Sequence, residues 1–150
     1  MNIFICEPKD FSDKALHTLN KIGTVIQATV PGQLECEDLA RVNVLWVRLS
    51  RYVDKAVLDS FPELKIIVSP TTGLNHIDLS AAESKNVRVL SLRGEVEFLR
   101  TVRATAEYTI GLALALMRKI PRAAASVQAY NWDRDGFRGQ EIYGKTVGII

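Results

Sequence analysis

Residues 64–79 read Leu64-Lys-Ile-Ile-Val-Ser-Pro-Thr-Thr-Gly-Leu-Asn-His-Ile-Asp-Leu79, and this order decides the fold. Lys65–Val68 has the apolar texture of a buried strand, and Asp78 opens an Ala/Glu-rich helical run. Between them Pro70 and Gly73 punctuate a short loop of small, hydroxylated residues. Such a loop, at the carboxyl end of a parallel strand, is where an open α/β sheet places its ligand. Thr71, Thr72 and Gly73 leave room for backbone N–H groups to approach a small anion. The same residues also fit a plain strand-to-helix turn that uses Gly73 for a positive φ. Both readings stay open at this point.

Working outward, the pattern repeats. Asn2–Cys6 reads as a first strand. A helix follows, capped by Asp10 or Ser12, with Phe11, Ala15, Leu16, Leu19 and Ile22 at helical spacing and Gly23 as a left-handed stop. Thr24–Ala28 is the second strand, followed by a Pro31-Gly32 turn and a short acidic helix over Glu35–Val42. Val44–Arg48 is apolar on both faces, as a central parallel strand should be. Asp54 caps a helix through Ser60, Asp78–Lys85 forms another, and Val87–Ser91 is the fifth strand. Alternation of this kind predicts an α/β fold, a flavodoxin-like parallel five-stranded sheet with helices on both faces.

After Leu92 the texture changes. Arg93–Arg103 reads as a charged, irregular linker. Thr105–Lys119 is a helix apolar nearly all round, which requires burial on several sides, between two lobes or in a dimer. Pro121 starts a second helix, Arg122–Tyr130, where proline is tolerated. Gly144–Ile150 reads as the beginning of another buried strand, so the chain is expected to be incomplete.

Composition narrows the class. The chain has 150 residues, 47% hydrophobic and 24% charged, enough for one domain with a core plus part of another. Net charge is only +2, and no Lys/Arg-aromatic stripe points to nucleic acid. Residues 1–98 carry 11 basic against 13 acidic side chains, and residues 99–150 carry 8 against 4. The last third is therefore a solvated basic face or an anion-facing segment. Cys6 and Cys36 suggest neither a disulfide framework nor a metal site and fit a reducing cytoplasm. No stretch has the length and apolarity of a membrane span.

Three segments resemble the D-isomer-specific 2-hydroxyacid dehydrogenases, in their phosphoglycerate dehydrogenase-like branch. They are residues 64–79, then Ala106-Glu-Tyr-Thr-Ile-Gly111 running into Leu116-Met-Arg-Lys-Ile-Pro121, then Gly139-Gln-Glu-Ile-Tyr-Gly-Lys-Thr-Val-Gly-Ile-Ile150. The resemblance covers nearly the whole chain. It implies a cytoplasmic oxidoreductase that passes hydride between NAD(H) and a small 2-hydroxy or 2-keto acid, with NADP an alternative cofactor and the full-length protein a homodimer. Residues 1–98 would be the substrate-binding lobe. Residues 99–150 would be the linker helices, with the apolar interlobe helix, and the start of an incomplete Rossmann domain, ending before its glycine-rich turn.

The site residues that the resemblance implies are Arg48, Thr71, Thr72 and Gly73 for the substrate acid, with Thr72 also meeting the nicotinamide end of the cofactor. Arg48 equally fits a surface arginine at a strand end. Catalytic groups are expected beyond Ile150, and His17 and His76 are read as structural. Ser69 stands where many members of the branch carry arginine, which weakens the case for a phosphorylated substrate. Arg100 and Arg103 fit either a solvated linker or an interlobe cleft, and Glu107 satisfies N–H groups in the first turn of its helix. Tyr130 and Trp132 fit a dimer interface or local packing.

Two other classes remain. One is a non-catalytic, dinucleotide-sensing, corepressor-like relative. The other is a free-standing flavodoxin-like domain using Ser69–Gly73 as a phosphate loop for FMN. If residues 1–150 are the whole product, weak NAD binding and no turnover are expected, with exposed apolar surface on Ile110, Leu114 and Met117.

Overall fold

The computed structural model describes residues 1–28 and 39–149. The expected Pro31-Gly32 turn, the first half of the Glu35–Val42 helix and Cys36 lie outside the described residues. The chain divides into two compact units, Met1–Val96 and Glu97–Ile150.

The first unit alternates as the hydrophobic pattern requires. Its elements are β1 (Asn2–Ile5), α1 (Asp13–Asn20), β2 (Thr24–Gln27), β3 (Val44–Trp46), α2 (Lys55–Asp59), β4 (Ile66–Ser69), α3 (Leu79–Ser84) and β5 (Arg88–Ser91). A single 3-10 turn, Leu39–Arg41, stands before β3, where the acidic helix was expected to end. All strand pairs are parallel, in the order β2-β1-β3-β4-β5. The register runs across the centre of the sheet through Phe4, Leu45 and Ile67. Each is buried, which stabilises the fold by about 1.5–3 kcal/mol per large apolar side chain. Leu58, Phe61, Val53 and Ile77 extend the same core under the helices and loops.

Helix starts follow from local chemistry. Asp54 Oδ1 accepts the Val57 N–H at 2.9 Å and Asp78 Oδ1 accepts the Ala81 N–H at 2.9 Å, each cap contributing about 1 kcal/mol. Ser12 occupies the N-cap of α1 in an extended conformation, but its side chain makes no cap bond. Lys55 and Lys85 both reach the Asp59 carboxylate, at 2.7 and 2.6 Å, so α2 and α3 share one charge cluster. Hydrogen bonds from the two lysines hold that carboxyl below its ordinary range. Its contribution is therefore complete above the ordinary Asp value and disappears as the pH falls through the lowered one.

Gly23 differs from expectation. Its φ is not in the left-handed region, so freedom of φ is not why glycine stands there. A Cβ at this position would collide with the Met1 carbonyl oxygen, which accepts the Thr24 N–H at 2.9 Å to start β2. Close approach of two backbones selects the glycine.

The expected linker Arg93–Arg103, which crosses the boundary between the two units in sequence, contains a helical turn, α4 (Val96–Leu99). Gly94 turns into it with φ 91, and Arg100 pairs with Glu97 at 2.8 Å. Two helices follow, α5 (Ala104–Met117) and α6 (Ile120–Gln128). Lys119, left-handed at φ 54, separates them, and Pro121 lies in the first turn of α6 as its missing N–H allows. Glu107 sits in the first turn of α5. The α5 side chains are not buried: Ile110 is 60% exposed and Leu116 79%. Gly144–Ile149 forms no strand, contrary to expectation, and Val147 and Ile149 lie almost fully exposed. A strand exists only through its ladder, and no described strand pairs with this segment. No helix among the described residues is long and apolar enough to cross a membrane.

Replacing Gly23 with alanine is expected to destabilise the protein by about 1–3 kcal/mol, because the start of β2 must move. Gly73→Ala, where a Cβ meets nothing within 4 Å, is expected to change stability by less than about 1 kcal/mol. Urea denaturation of the two variants checks this, and equal stabilities would contradict it.

Candidate functional site

The strand order places a topological switch between β1 and β3, where the connections leaving the two carboxyl ends diverge. A depression of about 380 Å³ opens at this place. The loop after β1 supplies Lys9 and Phe11, β3 and its end supply Trp46 and Arg48, and Pro70 follows β4. Phe11 meets Trp46 edge to face, with ring centroids 5.0 Å apart and planes at 73°, the geometry that ring quadrupoles favour.

The two strand ends are joined by Glu7. Its carboxylate is nearly buried, and Oε1 accepts the Arg48 N–H at 2.8 Å. A carboxylate withdrawn from water needs such a donor. The backbone of Arg48 is thereby fixed while its side chain stays exposed at the depression.

The loop after β4 is ordered by where its carbonyls go. The Thr71 carbonyl accepts the Leu92 N–H at 3.0 Å, tying the loop to the end of β5. The Gly73 carbonyl accepts the Thr71 hydroxyl at 2.7 Å. In a trans peptide the C=O and the following N–H point in opposite directions, and no peptide bond among the described residues is cis. The N–H groups of Thr72 and Leu74 are therefore turned away from those partners. Among the described residues, the N–H groups of Thr71, Thr72 and Gly73 have no acceptor. Thr72 and Gly73 are exposed. Gly73 does not adopt a positive φ, so the plain-turn explanation of this glycine fails, and the space above it is open.

The site residues expected from sequence are thus placed in two groups. Arg48 lines the depression, whereas Thr71, Thr72 and Gly73 follow Pro70 and do not line it. His17 is exposed on α1, and His76 is buried with Nε2 3.0 Å from Ser69 Oγ. Sequence reasoning missed Glu7, Lys9 and Trp46. The acid at Glu7, directly after a strand buried along its length, was the available signal, because it had to find a donor. No group of three or more His, Cys, Asp or Glu among the described residues could hold a metal ion.

Cys6 lies beside this site but is closed to chemistry. Burial, and secondarily the Glu7 charge, pushes its thiol up to about 12, so no thiolate is present near neutral pH. In a Cys36→Ser background, Cys6 is expected to resist iodoacetamide at pH 8 and to react once urea unfolds the chain. Modification of the folded protein at the rate of a free cysteine would contradict this.

Comparison with known proteins agrees with the architecture. Residues 3–139 match the family model for the D-isomer specific 2-hydroxyacid dehydrogenase catalytic domain. The chain is 34% identical to a D-3-phosphoglycerate dehydrogenase of Methanocaldococcus jannaschii over 151 residues, covering 100% of this chain and 28% of that protein. It is also 34% identical to a hydroxypyruvate reductase of Thermotoga maritima over 112 residues, 75% of this chain and 35% of the relative. Among solved structures, D-lactate dehydrogenase from Aquifex aeolicus, complexed with NAD and lactic acid, superposes with a TM-score of 0.77 at 19% identity. That match covers 95% of this chain and 41% of the other, and it speaks for the fold alone. The chain thus spans about a third or less of the curated relatives it matches. The matched span, the parallel sheet and its strand order together place this chain in the D-isomer specific 2-hydroxyacid dehydrogenase family.

Proposed function

We propose that residues 1–98 form the acid-binding lobe of an NAD-dependent oxidoreductase acting on a small 2-hydroxy or 2-keto acid, with residues 99–150 linking it to a dinucleotide-binding domain. The observation that carries this reading is the outward edge of the Thr71–Gly73 loop. Two of its carbonyls are already taken by Leu92 and by the Thr71 hydroxyl, and its N–H groups are left for an anion. A carboxylate received there accepts charge-assisted hydrogen bonds from the main chain. Arg48, with its backbone fixed by Glu7, supplies a guanidinium for the same acid or for a second charged group on it.

Family membership supports the reaction class, and the relatives' names include D-3-phosphoglycerate dehydrogenase and hydroxypyruvate reductase. NAD, or NADP, supplies or accepts the hydride when bound. The exposed Thr72, whose hydroxyl makes no hydrogen bond among the described residues, fits contact with the nicotinamide end. No catalytic acid or base is assigned among these residues. The exposed aromatics Tyr130 and Trp132 belong in this reading to a homodimer interface, and the location is cytoplasmic.

Titration with D-lactate and with D-3-phosphoglycerate, followed by backbone amide NMR, tests the site. The expected shifts concentrate at Thr71, Thr72, Gly73 and Arg48 for at least one acid. Arg48→Ala is expected to weaken that acid by about tenfold, equivalent to about 1.4 kcal/mol. Shifts confined to other residues, or an affinity unchanged by Arg48→Ala, would contradict the assignment.

A further inference from the structure

Behind the exposed loop lies a polar chain that the proposed reaction does not use directly. Ser69 Oγ is 2.9 Å from Thr71 Oγ1 and 3.0 Å from His76 Nε2. Thr71 Oγ1 is in turn 2.7 Å from the Gly73 carbonyl. Ser69 is fully buried and His76 nearly so. Counting protons fixes the direction of every bond. A carbonyl only accepts, so Thr71 spends its single hydroxyl proton on Gly73. Ser69 must then donate to Thr71. With the Ser69 proton committed, His76 must donate, and Nε2 carries a proton. The chain runs one way: His76 Nε2–H to Ser69 Oγ–H to Thr71 Oγ1–H to the Gly73 carbonyl.

Both ends of the chain are fixed. The His76 carbonyl accepts the Val53 N–H at 2.8 Å, and the Val53 carbonyl accepts the Asp78 N–H at 2.9 Å. These bonds form the isolated parallel bridge between Val53 and Ile77. They hold the histidine backbone against the segment before α2. At the other end the Gly73 carbonyl orients the peptide that it shares with Leu74. Because the Thr71 carbonyl is held by Leu92, both peptide planes that flank Thr72 and Gly73 on the protein side are pinned.

From this geometry we propose that Ser69 and His76 are positioning residues. They hold the Thr71 hydroxyl on the Gly73 carbonyl, fixing the Gly73–Leu74 peptide and with it the loop conformation in which the Thr71, Thr72 and Gly73 N–H groups have no protein acceptor among the described residues. Two consequences follow. The Thr71 hydroxyl is an internal strut and gives no hydrogen bond to the acid. Serine at position 69 has a role of its own, because it is the one link with both a proton for Thr71 and a lone pair for His76. The proposal rests on the reading of this loop as the acid site.

Three variants and one spectrum test it. In the wild type, the imidazole nitrogens of His76 are expected to show protonated Nε2, and the Nδ1–H tautomer would overturn the chain outright. Thr71→Val, isosteric but without the hydroxyl, is expected to shift the Gly73 carbonyl carbon and weaken acid binding by about fivefold, the worth of one hydrogen bond. Thr71→Ser is expected to restore both within about twofold. Ser69→Ala is expected to reproduce the Thr71→Val shift, and a misfolded Ser69→Ala leaves the Thr71 pair to decide. Wild-type acid affinity retained in Thr71→Val would overturn the proposal. Should the wild type bind neither D-lactate nor D-3-phosphoglycerate, the functional reading fails on its own. The strut then stands or falls by the His76 tautomer and the Gly73 carbonyl shift.

Discussion

One buried carboxylate closes the gap that the strand order opens. With the order β2-β1-β3-β4-β5, the chain leaves β1 and β3 in different directions, and a crevice between their ends is unavoidable. Glu7 spans it by accepting the Arg48 N–H. That tie joins the carboxyl ends of β1 and β3. It fixes where the Arg48 guanidinium emerges, and it sets the wall where Trp46 meets Phe11. One residue earlier the Val47 N–H donates to the Val68 carbonyl at 3.0 Å, so β4 reaches the same edge in register. The charge on Glu7 has a local cost as well, since it helps to silence the neighbouring Cys6 thiol.

On that edge the loop after β4 works by subtraction. Thr71–Gly73 carries no large side chain, and Gly73 keeps a conformation open to other residues. Its chemistry comes from which carbonyls are already spoken for. Once the Thr71 and Gly73 carbonyls are bonded, planarity of the peptide turns the Thr72 and Leu74 N–H groups away from those donors. Preorganisation of this kind lowers the ordering cost of binding. The supporting residues, Ser69 and His76, are accordingly buried polar groups hydrogen-bonded to one another.

Much of this was legible in the sequence, for identifiable reasons. Apolar runs at β1, β3 and β4 and acidic caps at Asp54 and Asp78 are local signals, and the sheet and its helices followed from them. Arg48 and the Thr71–Gly73 loop were reached by matching motifs, and the structure puts each at the carboxyl edge of the sheet. Glu7, Lys9 and Trp46 were not found, because their association with Arg48 depends on strand order rather than on spacing along the chain. Gly23 was assigned the wrong reason: a helix-stop pattern looks the same whether φ or a neighbouring backbone demands glycine. Gly144–Ile149 has strand composition without a strand, since the ladder is a property of partners. The same limit holds for α5, whose apolar surface is a sequence property and whose exposure is not.

Amide hydrogen exchange, read residue by residue, reports which backbone groups of this edge are already bonded. Slow exchange is expected at Arg48, Val53 and Leu92, whose N–H groups are held by Glu7, His76 and Thr71. Fast exchange is expected at Thr72 in the same free protein. Protection of Thr72 equal to that of Leu92 would mean that its N–H is already bonded and that the loop offers no free donor there.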